Sequence, residues 1–162
     1  MPAAVLSFDE VREHRKNAAF AGRRIVLTNG CFDLLHRGHV TYLEQSAQMG
    51  DLLIVAVNSD ASVRELKGPS RPLNHEQDRA FLIASLRCGK YAFICRGPRL
   101  DAEIATLRPD VYTKAGDYTL ETMDAGERSA LLAAGTEIRF MPFVAGHSTT
   151  GMLDRMASPP QT

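Results

Sequence analysis

The chain has 162 residues, 44% of them hydrophobic, and its 19 Lys and Arg balance 19 Asp and Glu. That size suits one domain with a substantial core, and the even charge gives no general attraction to nucleic acid, although a local anion pocket needs only a local field. Three cysteines without CxxC spacing argue against a disulfide framework or a zinc knuckle and point to a reducing cytoplasm; neither a signal-like leader nor an apolar run long enough to enter a membrane is expected.

Residues 1–22 read as a lead-in with a first helix over roughly 8–19, because Ser7 and Glu10 have capping-box spacing. "RRIVLT" reads as a buried strand, rich in β-branched residues. A helix from about His39 to Met49 follows, with Val40, Leu43 and Ala47 on one face and Gly50 as its stop. "DLLIVAV" is a continuous apolar run, as a central parallel strand requires. Asn74 and Gln77 are placed to cap a helix reaching about Arg87, with a strand at "YAFIC" beyond it. Asp101 opens a short helix that ends before Pro109, "VYTK" is the next strand, and a helix then runs to Ala134 with Gly135 as its stop. "TEIRFMPF" is the last strand, a closing helix starts near Thr149, and the tail 158–162 is expected to be disordered. Five strands alternating with helices predict an α/β domain over 23–157, with a mostly parallel sheet. In such sheets ligands bind beyond the carboxyl ends of the strands. That rule selects "NGCFDLLHRGH", "NSD", "AGDY" and "VAGHSTT", the loops richest in Gly, Asp, His, Ser and Thr.

His36 and His39 flank Arg37-Gly38 at a strand-to-helix turn. A helix start offers free N–H groups and partial positive charge. Gly38 removes a side chain where a phosphate would approach the backbone, and Gly30 allows a tight turn after the strand. Two imidazoles there could donate to phosphate oxygens and stabilise charge as a phosphoryl bond breaks. Zinc fits less well: it needs a third ligand, and helical zinc pairs have i, i+4 spacing. No GxGxxG follows "RRIVLT", which argues against a hydride-transferring dinucleotide fold.

"TNGCFDLLHRGHVTYLEQ" resembles the signature of the HxGH cytidylyltransferase-like nucleotidyltransferases. "GDLLIVAVNSDASVRELKGPSRPLN", "DRAFLIASL", "RPDVYTKAGDY" and "GHSTTGMLDRM" are similar to the adenylyltransferase branch that serves ADP-heptose biosynthesis. The likeness runs from about Arg23 to Met156. It implies a single-domain Rossmann-like nucleotidyltransferase fold, with a five-stranded, mostly parallel sheet and helices on both faces. The implied reaction joins a sugar 1-phosphate to the AMP part of ATP and releases pyrophosphate, with Mg²⁺ accompanying the nucleotide. The implied partners are ATP and the sugar phosphate, and a homo-oligomer. In many bacteria this domain is fused behind a sugar kinase, so a chain that stood alone would draw its substrate from a separate kinase.

Carried over position by position, the resemblance makes His36 and His39 the triphosphate-holding, transition-state-stabilising pair. Lys67 and Arg71 fall in a loop expected to close over the phosphates, with Lys67 placed among the catalytic groups. Thr28, Asn29, Gly30, Phe32, Asp33 and Gly38 belong to the first nucleotide-binding loop, where Asp33 either orients a histidine or lies near magnesium. Lys114, Gly116, Asp117 and Tyr118 match a KGGDY stretch beside the nucleotide, with Tyr118 toward the sugar phosphate. Ser148, Thr149 and Thr150 match a phosphate-binding STT, which by itself would read as an ordinary helix cap. Asn58, Asp60 and Arg79 complete the substrate contacts, and no protein metal ligand is assigned.

Two departures stand out. Ala47-Gln48 occupies positions where the family commonly carries Arg or Lys, and Arg37 is positioned to compensate; Ala115 replaces a family Gly. Two other readings remain. One is the same chemistry on CTP and glycerol 3-phosphate, against which "VAGHSTT" lacks that branch's Arg. The other is a nucleotide-binding module without catalysis.

Overall fold

A computed structural model describes residues 5–88, 91–142 and 144–157. Among these residues six parallel strands form one sheet: β1 (Val5–Leu6), β2 (Ile25–Gly30), β3 (Leu52–Asn58), β4 (Tyr91–Cys95), β5 (Val111–Ala115) and β6 (Glu137–Met141). Their spatial order is β1-β4-β3-β2-β5-β6. The sheet therefore has one strand more than expected. Val5–Leu6 adds an edge by pairing with Ala92 and Phe93, and two residues are too few to carry a periodic signal. The lead-in is thus part of the sheet.

Among the described residues seven helices lie between and after the strands: α1 (Phe8–Phe20), α2 (Arg37–Ala47), α3 (Asp60–Lys67), α4 (Glu76–Ser85), α5 (Asp101–Leu107), α6 (Ala125–Ala134) and α7 (Thr149–Ala157). The capping box before α1 is present: the Ser7 N–H donates to Glu10 Oε2, and the Glu10 N–H to Ser7 Oγ. α2 begins two residues earlier than expected, which makes His36 its N-cap. α3 was not anticipated; "DASVRELK" is only eight residues long, short for a periodic signal, yet Ser59 caps it by accepting from the Ser62 N–H. The expected cap of α4 at Asn74 is not formed. His75 holds that position, and Asn74 is drawn away by Asp33. The tail 158–162 lies outside the described residues.

Alternation along the strands divides the core in two. Ile25, Leu27, Ile54, Phe93 and Tyr112 pack toward α1, α5 and α6, while Val26, Leu53, Val55 and Val57 pack toward α2 and α4. β3 is buried along all seven residues, which is why its sequence is continuously apolar. At roughly 1.5–3 kcal/mol for each large aliphatic side chain removed from water, this strand anchors both layers.

The connections run outward from β2 through β3 to β4 on one side. The chain then crosses back to β5 and β6 on the other. The sheet's direction of growth therefore reverses between β2 and β5, and the crevice above their carboxyl ends is where such folds admit ligands. An open depression of about 640 Å³ lies at the opposite end, lined by Arg15, Arg108, Asp110 and Glu137 near the strand starts. None of the expected site residues borders it.

Candidate active site

The crevice is built first by what its glycines lack. A Cβ on Gly38 would stand 3.0 Å from the ring of His36 and 3.2 Å from His147 Cβ. A Cβ on Gly30 would meet the Phe32 ring at 2.9 Å. Phe32 itself adopts φ 49°, a left-handed conformation in which a bulky residue is strained, and its ring meets His39 edge-on at 5.3 Å. The loop is thus wound tightly enough to stack His36 on His39, with ring centroids 3.8 Å apart.

The Nδ1 atoms of both histidines are buried and have no hydrogen-bond partner among the described residues. Buried polar atoms of folded proteins are normally paired, so two orphans side by side mark a place built for something else to bind. Burial pushes His39 down to about 4, helped by the neighbouring His36 and the positive charge of Lys67, against an opposing Leu34 carbonyl. His36 is lowered as well, by burial and then by His147. Near neutral pH both rings are therefore uncharged imidazoles, each able to carry one N–H.

The STT segment comes to the same place from the far end of the chain. Thr149 Oγ1 donates to the Leu34 carbonyl at 3.4 Å, which sets the start of α7 against the loop before α2. Ser148 Oγ accepts from the Gly151 N–H, so its hydroxyl serves as a cap in this state. Thr150 is exposed. His147, one residue earlier, lies 6.5 Å from the His36 ring. It was not singled out from the sequence, because only the fold brings position 147 beside position 36.

Asp33 neither orients a histidine nor stands free for a cation. Its carboxylate is buried and accepts from Arg71 Nε at 2.6 Å and from the N–H groups of Leu73 and Asn74. Burial alone would raise its pKa; these donors, with Asn74 foremost, reverse the effect and hold it below the usual carboxylate value. The outcome is a clamp that fastens the 68–74 loop beside the nucleotide loop. Arg71 keeps its two terminal amino groups unpaired among the described residues, at the rim. Lys67, exposed at the end of α3, is near enough for its charge to act on His39 and Cys31.

Other expected contacts stand behind the crevice rather than in it. Arg79 is fully buried, and all three guanidinium nitrogens are used, on the Asn74 and Cys31 carbonyls and on Asp60 Oδ1. It braces the loops that follow β2 and β3 against the segment leading into α4. Asp60 also faces His75, and Asn58 is buried with its amide donating to Ser62 Oγ. Thr28 is buried, its hydroxyl bonded to Tyr42 and to the Thr113 carbonyl. Asn29 Oδ1 accepts from the Tyr112 hydroxyl at the carboxyl end of β2.

On the β5 side, Lys114 Nζ pairs at 3.1 Å with Glu127, a carboxylate only 1% exposed, and lies 4.9 Å from the Tyr118 ring centroid. The Gly116 N–H donates to the Met141 carbonyl, and Asp117 is exposed beside it. Among the described residues no three His, Cys, Asp or Glu side chains are grouped to hold a metal ion. The donor set therefore does not fit a protein-built cation cage.

The model of the cytidylyltransferase-like family matches residues 27–148, from the second strand to the start of the STT segment. The chain belongs to this family. Membership makes it a nucleotidyltransferase, a phosphorus-transferring enzyme. Family relatives named "Bifunctional protein HldE" are 43% identical over 95% of this chain in Nitratiruptor sp. and 49% identical over 85% in Chromohalobacter salexigens. The chain spans about a third of the length of these relatives, 32% and 28% respectively. A crystal structure described as the lipopolysaccharide core biosynthesis protein from Thermoplasma volcanium GSS1 is 27% identical, with a TM-score of 0.62 over 76% of this chain and 98% of that one. Pantoate-beta-alanine ligase from Francisella tularensis is 13% identical with a TM-score of 0.51, covering 86% of this chain and 67% of that one, and shares the fold.

Proposed function

We propose that this chain is an adenylyltransferase joining D-glycero-β-D-manno-heptose 1-phosphate to the AMP moiety of ATP, giving ADP-heptose for bacterial surface polysaccharide. The observation that carries the reading is the stacked pair of neutral histidines, with buried unpartnered Nδ1 atoms, facing the start of α7. The likeness to the HldE relatives supports heptose as the sugar.

In this reaction a phosphate oxygen of the sugar attacks the α-phosphorus of ATP. The bond from that phosphorus to the bridging oxygen breaks, and pyrophosphate leaves with the electron pair. No proton needs to be taken from a phosphate nucleophile already ionised, so catalysis consists of alignment and stabilisation of charge. His36 and His39 donate to the oxygens on which charge accumulates, at positions where water is largely excluded. Lys67 and Arg71 hold the phosphates from the rim, Lys67 as a point charge and Arg71 through its free amino groups. Lys114, Gly116, Asp117 and Tyr118 border the nucleoside, and Asn58, Asp60 and Arg79 support the sugar side. Mg²⁺ belongs with the substrate, on phosphate oxygens and water, as this ion usually does. Arg37 is exposed at the first turn of α2 and supplies a further charge toward the phosphates. Arg37→Ala should raise the KM for ATP, and an unchanged value removes it from the site. The family resemblance also carries a homo-oligomer, read by light scattering of the purified chain.

Pyrophosphate release decides the reading. With ATP and heptose 1-phosphate it should be robust; release only with CTP and glycerol 3-phosphate transfers the chain to the cytidylyl branch. Nucleotide binding without release from any pair makes it a binding module.

A further inference from the structure

We propose that His147 is a third phosphate-binding imidazole of this site, and that it binds as a cation, taking up a proton as it does so. This rests on the function proposed above but can be read separately from turnover.

The argument begins with hydrogen-bond direction. His147 Nδ1 lies 2.9 Å from the Ala145 carbonyl. A carbonyl oxygen only accepts, so this nitrogen carries the proton. Nε2 is then either a lone pair or, in the imidazolium, a second N–H. A lone pair repels phosphate oxygen, whereas an N–H donates to it. The ring can therefore engage phosphate only in its charged form.

Its position supplies the reason to engage. His147 directly precedes Ser148 at the head of α7, and its Cβ packs over the α-hydrogen face of Gly38, beside the His36 ring. The unpartnered Nδ1 of His36 is within 3.0 Å of that same Gly38 Cβ position. His39 is thus stacked on His36, with His147 6.5 Å from the His36 ring, and the stacked two are held neutral by burial. His147 is partly buried, like the other two rings, and lies outside their stack.

The titratable groups around it are imidazoles and cations. The His36 ring stands 6.5 Å away with His39 stacked on it, Lys67 is near enough to act on His39, and Arg155 on the same helix approaches Gly151. No carboxylate among the described residues is paired with His147. An arriving polyphosphate brings negative charge to the ring. Binding by this route raises the proton affinity of the ring, so the His147 contribution is full at acidic pH and declines as pH rises.

The test titrates the full chain with inorganic pyrophosphate and with AMP by calorimetry, across a pH series and in buffers of differing ionisation heat. His147→Gln keeps a donor but cannot become a cation. It should weaken pyrophosphate by roughly five- to tenfold at the acidic end, the order expected of one charge-assisted hydrogen bond at a half-exposed site. It should leave AMP unchanged and abolish the wild-type excess proton uptake. The ionisation of pyrophosphate is common to both proteins and cancels. Equal pyrophosphate affinity and equal proton uptake in the two proteins would overturn the inference while leaving the proposed function intact. Binding that follows this pattern without any turnover would overturn the proposed function alone. Failure of the unaltered chain to bind pyrophosphate at any pH would overturn both.

Discussion

Gly38 illustrates how much of the site is decided by single atoms. An added methyl group at 3.0 Å from the His36 ring and 3.2 Å from His147 Cβ forces at least one imidazole to move. At those distances the neighbours give by only a few tenths of an ångström, less than the misplacement of about 1 Å that can cost about a hundredfold, so Gly38→Ala should lower kcat/KM by roughly tenfold, with little change in the urea midpoint. A loss of stability as large as the loss of activity would instead mark a folding defect. His36→Ala and His39→Ala should each reduce kcat by roughly 10²–10³ while shifting the KM for ATP only a few-fold, provided their contacts strengthen in the transition state. Equal losses in affinity would reduce the pair to a passive cradle. The spacing of these histidines and of Gly38 was legible in the sequence because a helix start brings near neighbours onto one side. His147 and the role of Asp33 were not, since their partners are far away along the chain.

At the level of elements, the clearest signals came from strands buried on both faces. "DLLIVAV" could hardly be anything else, and its span differs from β3 by a residue at each end. α3 escaped notice for the opposite reason. Its information lies in end effects, an N-cap at Ser59, Asp60 in the first turn, and Arg64 and Lys67 in the last, all matched to the helix dipole. The loop between α3 and α4 depends on two clamps that no local pattern announces, Asp33 on one side and Arg79 on the other. Asp33→Ala strands two backbone donors and leaves Arg71 without its partner. Breaking a buried pair of this kind costs about 3 kcal/mol. Equilibrium unfolding should show that loss, and the KM for both phosphate substrates should rise together as the Arg71 loop loosens. An unchanged KM would mean that the clamp serves stability alone.

For the whole molecule, the same groups predict an acid limb in stability. As pH falls from about 6.5 toward about 4, an unfolded chain protonates the residue-39 imidazole while the folded chain resists, so stability declines over that window. Below the ordinary carboxylate value of 3.8 the Asp33 clamp adds a second loss, since its folded value is depressed and its contribution disappears as it protonates. Denaturant midpoints against pH should show the first limb flattened in His39→Asn and the second retained. The described residues contain no helix long and apolar enough to cross a membrane. A different asymmetry has consequences for how this molecule responds to its ligand. β2 and β3 root one half of the crevice in the centre of the sheet, whereas α7, which carries the other half, has no fully buried residue. Local opening of such a helix requires only a fraction of the global unfolding free energy. A phosphate chain gripped by both halves would therefore act as a fastener. Amide exchange along α7 should slow markedly on nucleotide binding while that of β3 hardly changes, and part of the intrinsic affinity will be consumed in keeping the last helix docked.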